Sequence, residues 1–489
     1  MRLTRFRFSF FLLIFAALGQ ALGQADSRPN ILLIVSEDNG PELGCYEEPY
    51  VQTPVLDRLA AKGVRFDRAY VPQAGCSQSR AALLTGLYPH QNGQIGLATW
   101  KFRLYKEGTP NLIRSLKHSG YRTGIIGKLH INPTSAFPFD YKQFPSSNFS
   151  RKKLGDYAKF AKEFMADGDR PFFLSVNYPD PHRPFIRKIN GLPKKPLSAD
   201  DVKPLAYFGV ETPGLRQQTA DYYNCISRLD SLIGDLLKAL DRSGKRKGTL
   251  IIYIGDHGAD LLRGKRTSYE GGVRVPLIMQ WEGKEGFGKS VRSELVSTLD
   301  LMPTILSAAK ATLPSGLAGK SLIPMLREGA EDWRQHLFTE FHLHSAHNFY
   351  PQRTVRGERF KIIQNLQPGL VNPGYDFTMN RFFDGLQKTI TENNTVRDTY
   401  SLMRRPPAFE LYDLKNDPFE FRNLANDEKY QTQLQYLKKK LAQWRLDTND
   451  PFLNSKNISR LQSEINASIR SGKPDKKYLK LNYWEYFFE

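Results

Sequence analysis

The chain has 489 residues, of which 40% are hydrophobic and 25% charged, and a formal net charge of +20. That length and balance fit a globular protein with more than one core, and they exclude a disordered or fibrous chain. Three cysteines (Cys45, Cys76 and Cys225) are too few for a disulfide framework, and after residue 24 nothing approaches the roughly 18 apolar residues of a membrane span.

Residues 1–24 read as a signal peptide. Arg2, Arg5 and Arg7 precede an apolar run at residues 8–18, and Ala21-Leu22-Gly23 offers a small-residue cleavage site. Export is expected, to the periplasm or outside the cell, or to the lysosome in a eukaryote. The segment carries three arginines and no acids, so its removal takes the net charge from +20 to +17. Such a field favours polyanions. An exported chain without a nucleic-acid-binding motif points away from nucleic acid and toward a sulfated polysaccharide.

Asn30-Ile31-Leu32-Leu33-Ile34-Val35-Ser36 is a continuous apolar run that predicts a strand buried on both faces of a parallel sheet. Glu37 and Asp38 follow at its carboxyl end, where open α/β sheets build their sites. Two adjacent acids stay ionised together most easily around a hard cation such as calcium or magnesium. Residues 53–63 predict a helix, with a Thr cap, Pro at the first position and a closing Gly.

The stretch from Pro72 to Gly86 reads as a loop running into a helix. Its Cys76 stands where free N–H groups and the helix dipole favour an anion. Arg80, one turn on, shares the face of Cys76. A helix at 111–119 and a strand at 121–127 lead into Lys128-Leu129-His130, whose alternation turns Lys128 and His130 to one side. A further buried strand at 171–177 ends in Pro179-Asp180-Pro181-His182-Arg183-Pro184, where the prolines hold His182 and Arg183 at the strand's end.

Residues 219–240 have helical spacing and are expected to cover one sheet face. The strand at 248–254 then ends in Gly255-Asp256-His257-Gly258, with Lys265 a little beyond. A helix near 302–309 closes this part. The segment 340–347 gathers His342, His344 and His347 at a spacing that matches no zinc pattern. A substrate-facing loop is the alternative, with His347 as its candidate contact. Residues 353–366 and 410–414 read as antiparallel strands and 430–446 as an amphipathic helix. The lysine-rich tail (Lys473, Lys476, Lys477, Lys480) reads as solvated surface.

Cys76-Ser77-Gln78-Ser79-Arg80, followed by Ala-Ala-Leu-Leu-Thr-Gly, closely resembles the sulfatase signature C-x-P-S-R with its A-x-L-L-T-G helix. Gly-Lys128-Leu-His130, Asp-Pro-His182-Arg183, Gly-Asp256-His257-Gly and Lys265-Arg-Thr-Ser-Tyr-Glu-Gly-Gly-Val-Arg-Val-Pro resemble the family's other segments in order, and sulfamidases (heparan N-sulfatases) most. The resemblance implies an alkaline-phosphatase-like α/β fold: a mixed, mostly parallel sheet flanked by helices, with a smaller C-terminal α+β subdomain on an antiparallel sheet. The domains are then a catalytic part at 25–345 and a C-terminal part at 346–489.

It also implies that Cys76 is oxidised to formylglycine by the formylglycine-generating enzyme, and that Glu37, Asp38, Cys76, Asp256 and His257 hold one Ca2+. Lys128, His130 and Lys265 would contact the sulfate, Arg80 would hold the aldehyde hydrate, and His182 would serve the leaving group with Arg183 beside it. The expected activity is sulfate release from a sulfated glycan, with N-sulfoglucosamine of heparan-type chains favoured. An O-sulfatase, a phosphoryl-transfer enzyme and a non-catalytic glycan-binding protein are the alternatives, and a homodimer stays open. The chain departs from the signature at Gln78, where the family has proline, at Glu37, where it has Asp, and at Pro179, where sulfamidases carry His.

Overall fold

Strand β1 (Asn30–Ser36) runs through the interior of a nine-stranded sheet. The computed structural model describes residues 28–144, 146–379 and 386–488. The export segment read at 1–24 lies outside them, and no described helix is long and apolar enough to cross a membrane. In chain order the other strands are β2 (Val64–Tyr70), β3 (Arg122–Gly127), β4 (Tyr141–Gln143), β5 (Phe172–Tyr178), β6 (Thr249–Gly255), β7 (Arg274–Trp281), β8 (Ser290–Arg292) and β9 (Val296–Ser297). They lie in the order β4-β3-β5-β1-β6-β7-β2-β8, with β9 also on β2. Only β7 runs against its neighbours among the described strands, so the sheet is mixed and mostly parallel, as expected.

Alternation along β1 divides the core in two. Leu32 and Ile34 face a cluster built with helices α1 (Pro54–Lys62), α4 (Asp156–Ala166) and α5 (Pro213–Arg242). Ile31, Leu33 and Val35 face another built with α2 (Cys76–Thr85), α3 (Leu112–His118) and α6 (Leu301–Ala308). Each of these side chains is at most 3% exposed, and burying each contributes about 1.5–3 kcal/mol. Helix α5 starts earlier than its apolar spacing indicates, because Thr212 caps it through the Leu215 N–H at 3.2 Å and Pro213 opens it.

Register then sets the site. Ser36 lies opposite Tyr178 on β5 and Gly255 on β6, and Gly127 of β3 lies opposite Asn177. Four carboxyl ends are therefore level, and the polar residues after them emerge together. The close approach needs glycine: a Cβ on Gly127, whose φ is +91°, would lie 2.1 Å from the Asn177 carbonyl oxygen.

A second, antiparallel sheet has the order β10-β11-β12-β13, from β10 (Leu337–Phe341), β11 (Gln352–Arg356), β12 (Phe360–Asn365) and β13 (Phe409–Asp413). The last three match the antiparallel strands read from the sequence; β10 was not foreseen. Helix α7 (Gln431–Asp447) packs on this sheet through Leu434, Leu437 and Leu441. The Glu340 N–H donates to the Pro72 carbonyl at 2.7 Å, which ties the sheet to the loop before Cys76.

Candidate active site

Helix α2 begins at Cys76, so the sulfur stands at the helix N-terminus, buried with 2% exposure. Its Sγ lies 3.3 Å from His257 Nε2 and 3.9 Å from His344 Nε2. Burial opposes ionisation of this thiol, yet Lys128, Lys265 and His257 hold it well below its ordinary value. The site is built to carry negative charge at this position.

Asp38, Cys76, Asp256 and His257 bring one ligand atom each to within 4.8 Å of one another. Asp38 has a positive φ of 55°, and its N–H donates to Asp256 Oδ1 at 2.8 Å, which holds the two acidic strand ends together. His257 Nε2 lies 3.3 Å from Asp38 Oδ1 and 3.7 Å from Asp256 Oδ1. Burial works against a protonated His257, but Asp256 raises it to about 9. Glu37 stands beside this group rather than in it. Its Oε2 accepts from Lys128 Nζ at 2.9 Å, while the buried Oε1 has no hydrogen-bond partner and lies 3.8 Å from Arg80 Nη2. Burial raises the Glu37 carboxyl despite Lys128, whereas His182 and Lys265 lower Asp38 against the same burial.

Arg80 is held on the inner side. Its Nη1 donates to Asn177 Oδ1 at 2.7 Å and to the Lys128 carbonyl at 3.0 Å, and its Nε to Asp256 Oδ2 at 3.1 Å. Lys265 Nζ straddles Asp38, at 2.8 and 3.0 Å from the two oxygens. His130 has a φ of +60°, and its ring nitrogens are buried without a well-formed hydrogen bond. Burial and then Lys128 push it down to about 4, so it presents a neutral ring.

His182 Nε2 lies 3.8 Å from Asp38 Oδ2, and its ring stacks on Phe149 at 4.1 Å and 13°. Its loop is pinned by Asp180, which accepts from Arg228 Nε at 2.7 Å and Arg151 Nε at 3.1 Å, all three buried. Arg183 is held by the Asp260 carbonyl at 3.0 Å and by Gln218, with its guanidinium over Phe185.

Of the three clustered histidines, His344 reaches Cys76. His342 is buried between Gln73 and Arg353, and His347 instead meets Trp100 edge-on at 4.9 Å. Sequence spacing could not rank the three, because only the turn after β10 decides which ring looks inward. Asn177 was also missed, although a polar residue closing the buried strand Phe-Phe-Leu-Ser-Val-Asn-Tyr is a readable signal. Cys45 and Cys225 are both free, and burial pushes each thiol up to about 12.

The sulfatase family pattern matches residues 29–311, and a pattern described as N-sulphoglucosamine sulphohydrolase, C-terminal, matches residues 255–380. The chain is 33% identical to N-sulphoglucosamine sulphohydrolase of Homo sapiens, over 89% of this chain and 94% of that one. The chain belongs to the sulfatase family.

Arylsulfatase A of Homo sapiens is 31% identical over 83% of this sulfatase and 85% of its own length. A structure solved in complex with its substrate D-glucosamine-2-N,6-O-disulfate superposes with a TM-score of 0.63 at 20% identity, covering 86% of this sulfatase and 98% of that chain. The fold is the alkaline-phosphatase-like one. Sulfatases typically need formylglycine and a divalent metal, and this site fits both. Two hard carboxylate donors converge with His257 on Cys76, and Glu37 Oε1 is a buried oxygen still lacking a partner. The Cys76 sulfur marks where the oxygens of the modified residue would stand.

In this sulfatase the Gln78 side chain does structural work that proline could not. Its Nε2 donates to the Leu343 carbonyl at 2.7 Å and the Ile95 carbonyl at 3.2 Å. Gln78 thereby binds helix α2 to the segment carrying His344.

Proposed function

We propose that this sulfatase is exported and hydrolyses a sulfated glycan, with the N-sulfate of glucosamine in heparan-type chains as its favoured group. The observation that carries the substrate is the 33% identity to human N-sulphoglucosamine sulphohydrolase along 89% of the chain. The C-terminal pattern of the same description supports it.

Cys76 oxidised to formylglycine by the generating enzyme would supply an oxygen nucleophile, and a divalent cation, Ca2+ by its oxygen donors, would supply positive charge at the sulfuryl group. Asp38, Asp256 and His257 would hold that cation, and Glu37, whose Oε1 lacks a hydrogen-bond partner, is a further oxygen donor beside them. The chain's own residues do the rest. Lys128 and Lys265 place two buried ammonium groups where charge develops on the sulfuryl oxygens, in a site where water screens little. His130 contacts the sulfate as a neutral ring. Arg80, locked by Asn177 and Asp256, fixes the orientation of residue 76. His182, partly exposed at the rim, delivers a proton to the departing nitrogen or oxygen.

Lys265 favours a second reading, an O-sulfatase, because sulfamidases can carry Arg at that point. A panel of sulfated sugars separates the two: sulfate release from glucosamine N-sulfate is expected, and release only from O-sulfated sugars overturns the N-sulfate assignment. The peptide containing Cys76, from native protein, is expected to weigh about 18 Da less than its thiol form. An unchanged thiol there would remove the catalytic reading and leave a glycan-binding protein.

A further inference from the structure

A depression of about 540 Å³ lies beside the site, lined by Thr99, Trp100, His347, Arg470, Lys473 and Lys476 among others. Its two walls are rooted at the catalytic cysteine. On one side the Ala98 N–H donates to Ser77 Oγ at 2.9 Å, directly after Cys76 in the chain, and the Leu97 N–H donates to the His344 carbonyl at 2.9 Å. Thr99 and Trp100 extend outward from that anchor. On the other side His347 lies one turn beyond His344, which faces the sulfur.

A second depression of about 340 Å³ contains Thr99 together with His130 and Lys142. Thr99 thus lines both depressions, the one that contains His130 and the one that contains the lysines. Trp100 and His347 form an aromatic wall. Lys473 and Lys476 are exposed and have no carboxylate partner among the described residues, and burial, then the nearby Lys473, depress the protonation of His347. The rim's acid, Asp475, accepts the Lys477 N–H at 2.8 Å.

We propose that this depression is a subsite for a second anionic residue of the glycan, next to the one whose sulfate is removed. The aromatic wall takes a sugar face, and Lys473, Lys476 and Arg470 take a sulfate or carboxylate. This rests on the sulfated-glycan reading above and adds that the preferred substrate is a chain rather than a monosaccharide. Two of the tail lysines that read as solvated surface become substrate contacts.

The test compares a heparin-derived tetrasaccharide with glucosamine N-sulfate as substrates for wild type, the double variant K473A/K476A, and W100A. Both variants are expected to raise KM for the tetrasaccharide about five- to ten-fold; the effect of K473A/K476A should shrink with added salt, as exposed charge contacts do, and that of W100A should not. Turnover of the monosaccharide should stay within about two-fold, which also shows that the variants fold. Equal effects on both substrates, or no effect on the tetrasaccharide, overturn the subsite.

Wild-type protein that releases no sulfate from either substrate overturns the substrate assignment instead. Tetrasaccharide affinity measured directly by calorimetry then decides the subsite: weaker binding by K473A/K476A supports it, and unchanged binding removes it.

Discussion

Arg80 sits between two acids, Asp256 and Glu37, and two neutral anchors, the Asn177 amide oxygen and the Lys128 carbonyl. Replacing Asn177 by Ala leaves one buried guanidinium donor unpaired, at a cost of about 1–3 kcal/mol of stability. With Arg80 no longer oriented, kcat should fall about ten- to a hundred-fold while KM moves less, a split that steady-state kinetics on any turned-over sulfate reads directly. Gln78 offers a second test. It occupies the first turn of α2, where proline is tolerated. Gln78→Pro should raise the fraction of aldehyde at residue 76, seen by peptide mass. The lost bonds to Leu343 and Ile95 should cost about 1–2 kcal/mol in urea melts. An unchanged aldehyde fraction would show that maturation does not depend on proline there.

Helix α1 delivers the chain toward the Cys76 loop, and its start is capped from another element. Asp230, in the middle of α5, accepts the Leu56 N–H at 2.8 Å and the Val55 N–H at 3.1 Å. Thr53, the residue the sequence nominates as cap, makes no cap bond to the helix and turns its hydroxyl to Asp57 at 2.9 Å. Removing the distant cap by Asp230→Ala is expected to lower stability by about 1–2 kcal/mol, against less for Thr53→Ala. Parallel denaturation curves compare them, and the reverse ranking would mean that local capping dominates. The same contact fastens α1 to α5 on one face of the sheet, so it organises the layer as well as the helix end.

Across the whole molecule, buried charges tie the parts together. Asp450 bonds Arg353 at 2.7 Å and Arg445 at 2.6 Å, and Glu340 pairs with His90. These links join the segment after α7 to the second sheet, and the second sheet to the turn that follows α2. Glu42 is the costly exception. It is buried with Tyr222 donating to it at 3.0 Å, and burial raises its carboxyl to about 7. A raised folded-state value means that the native protein binds the proton more tightly than the unfolded chain. Its contribution is therefore full below about pH 4.5 and lost as pH rises through about 7. A shift of this size corresponds to about 3 kcal/mol. Stability of wild type relative to Glu42→Gln should fall by that order between pH 5 and pH 8 in urea melts. A difference that stays flat across that range would contradict it.

Period and punctuation in the sequence determined a great deal by themselves. The apolar runs of β1, β3, β5 and β6 declared buried parallel strands, and the polar residues directly after them declared one edge as the site, because a fully buried strand can expose chemistry only where it ends. The cysteine, the arginine one turn on and the lysines were legible as residue types in a fixed order. Tertiary structure alone decided the rest. Whether Glu37 joins the metal group or pairs with Lys128 depends on strands β1 and β3 lying on either side of β5. Which histidine reaches Cys76 depends on a turn anchored by Gln73 and Gln78 from a remote segment. Such pairings are set by packing across hundreds of residues, and a linear pattern carries no record of which distant backbone carbonyl a side chain will meet.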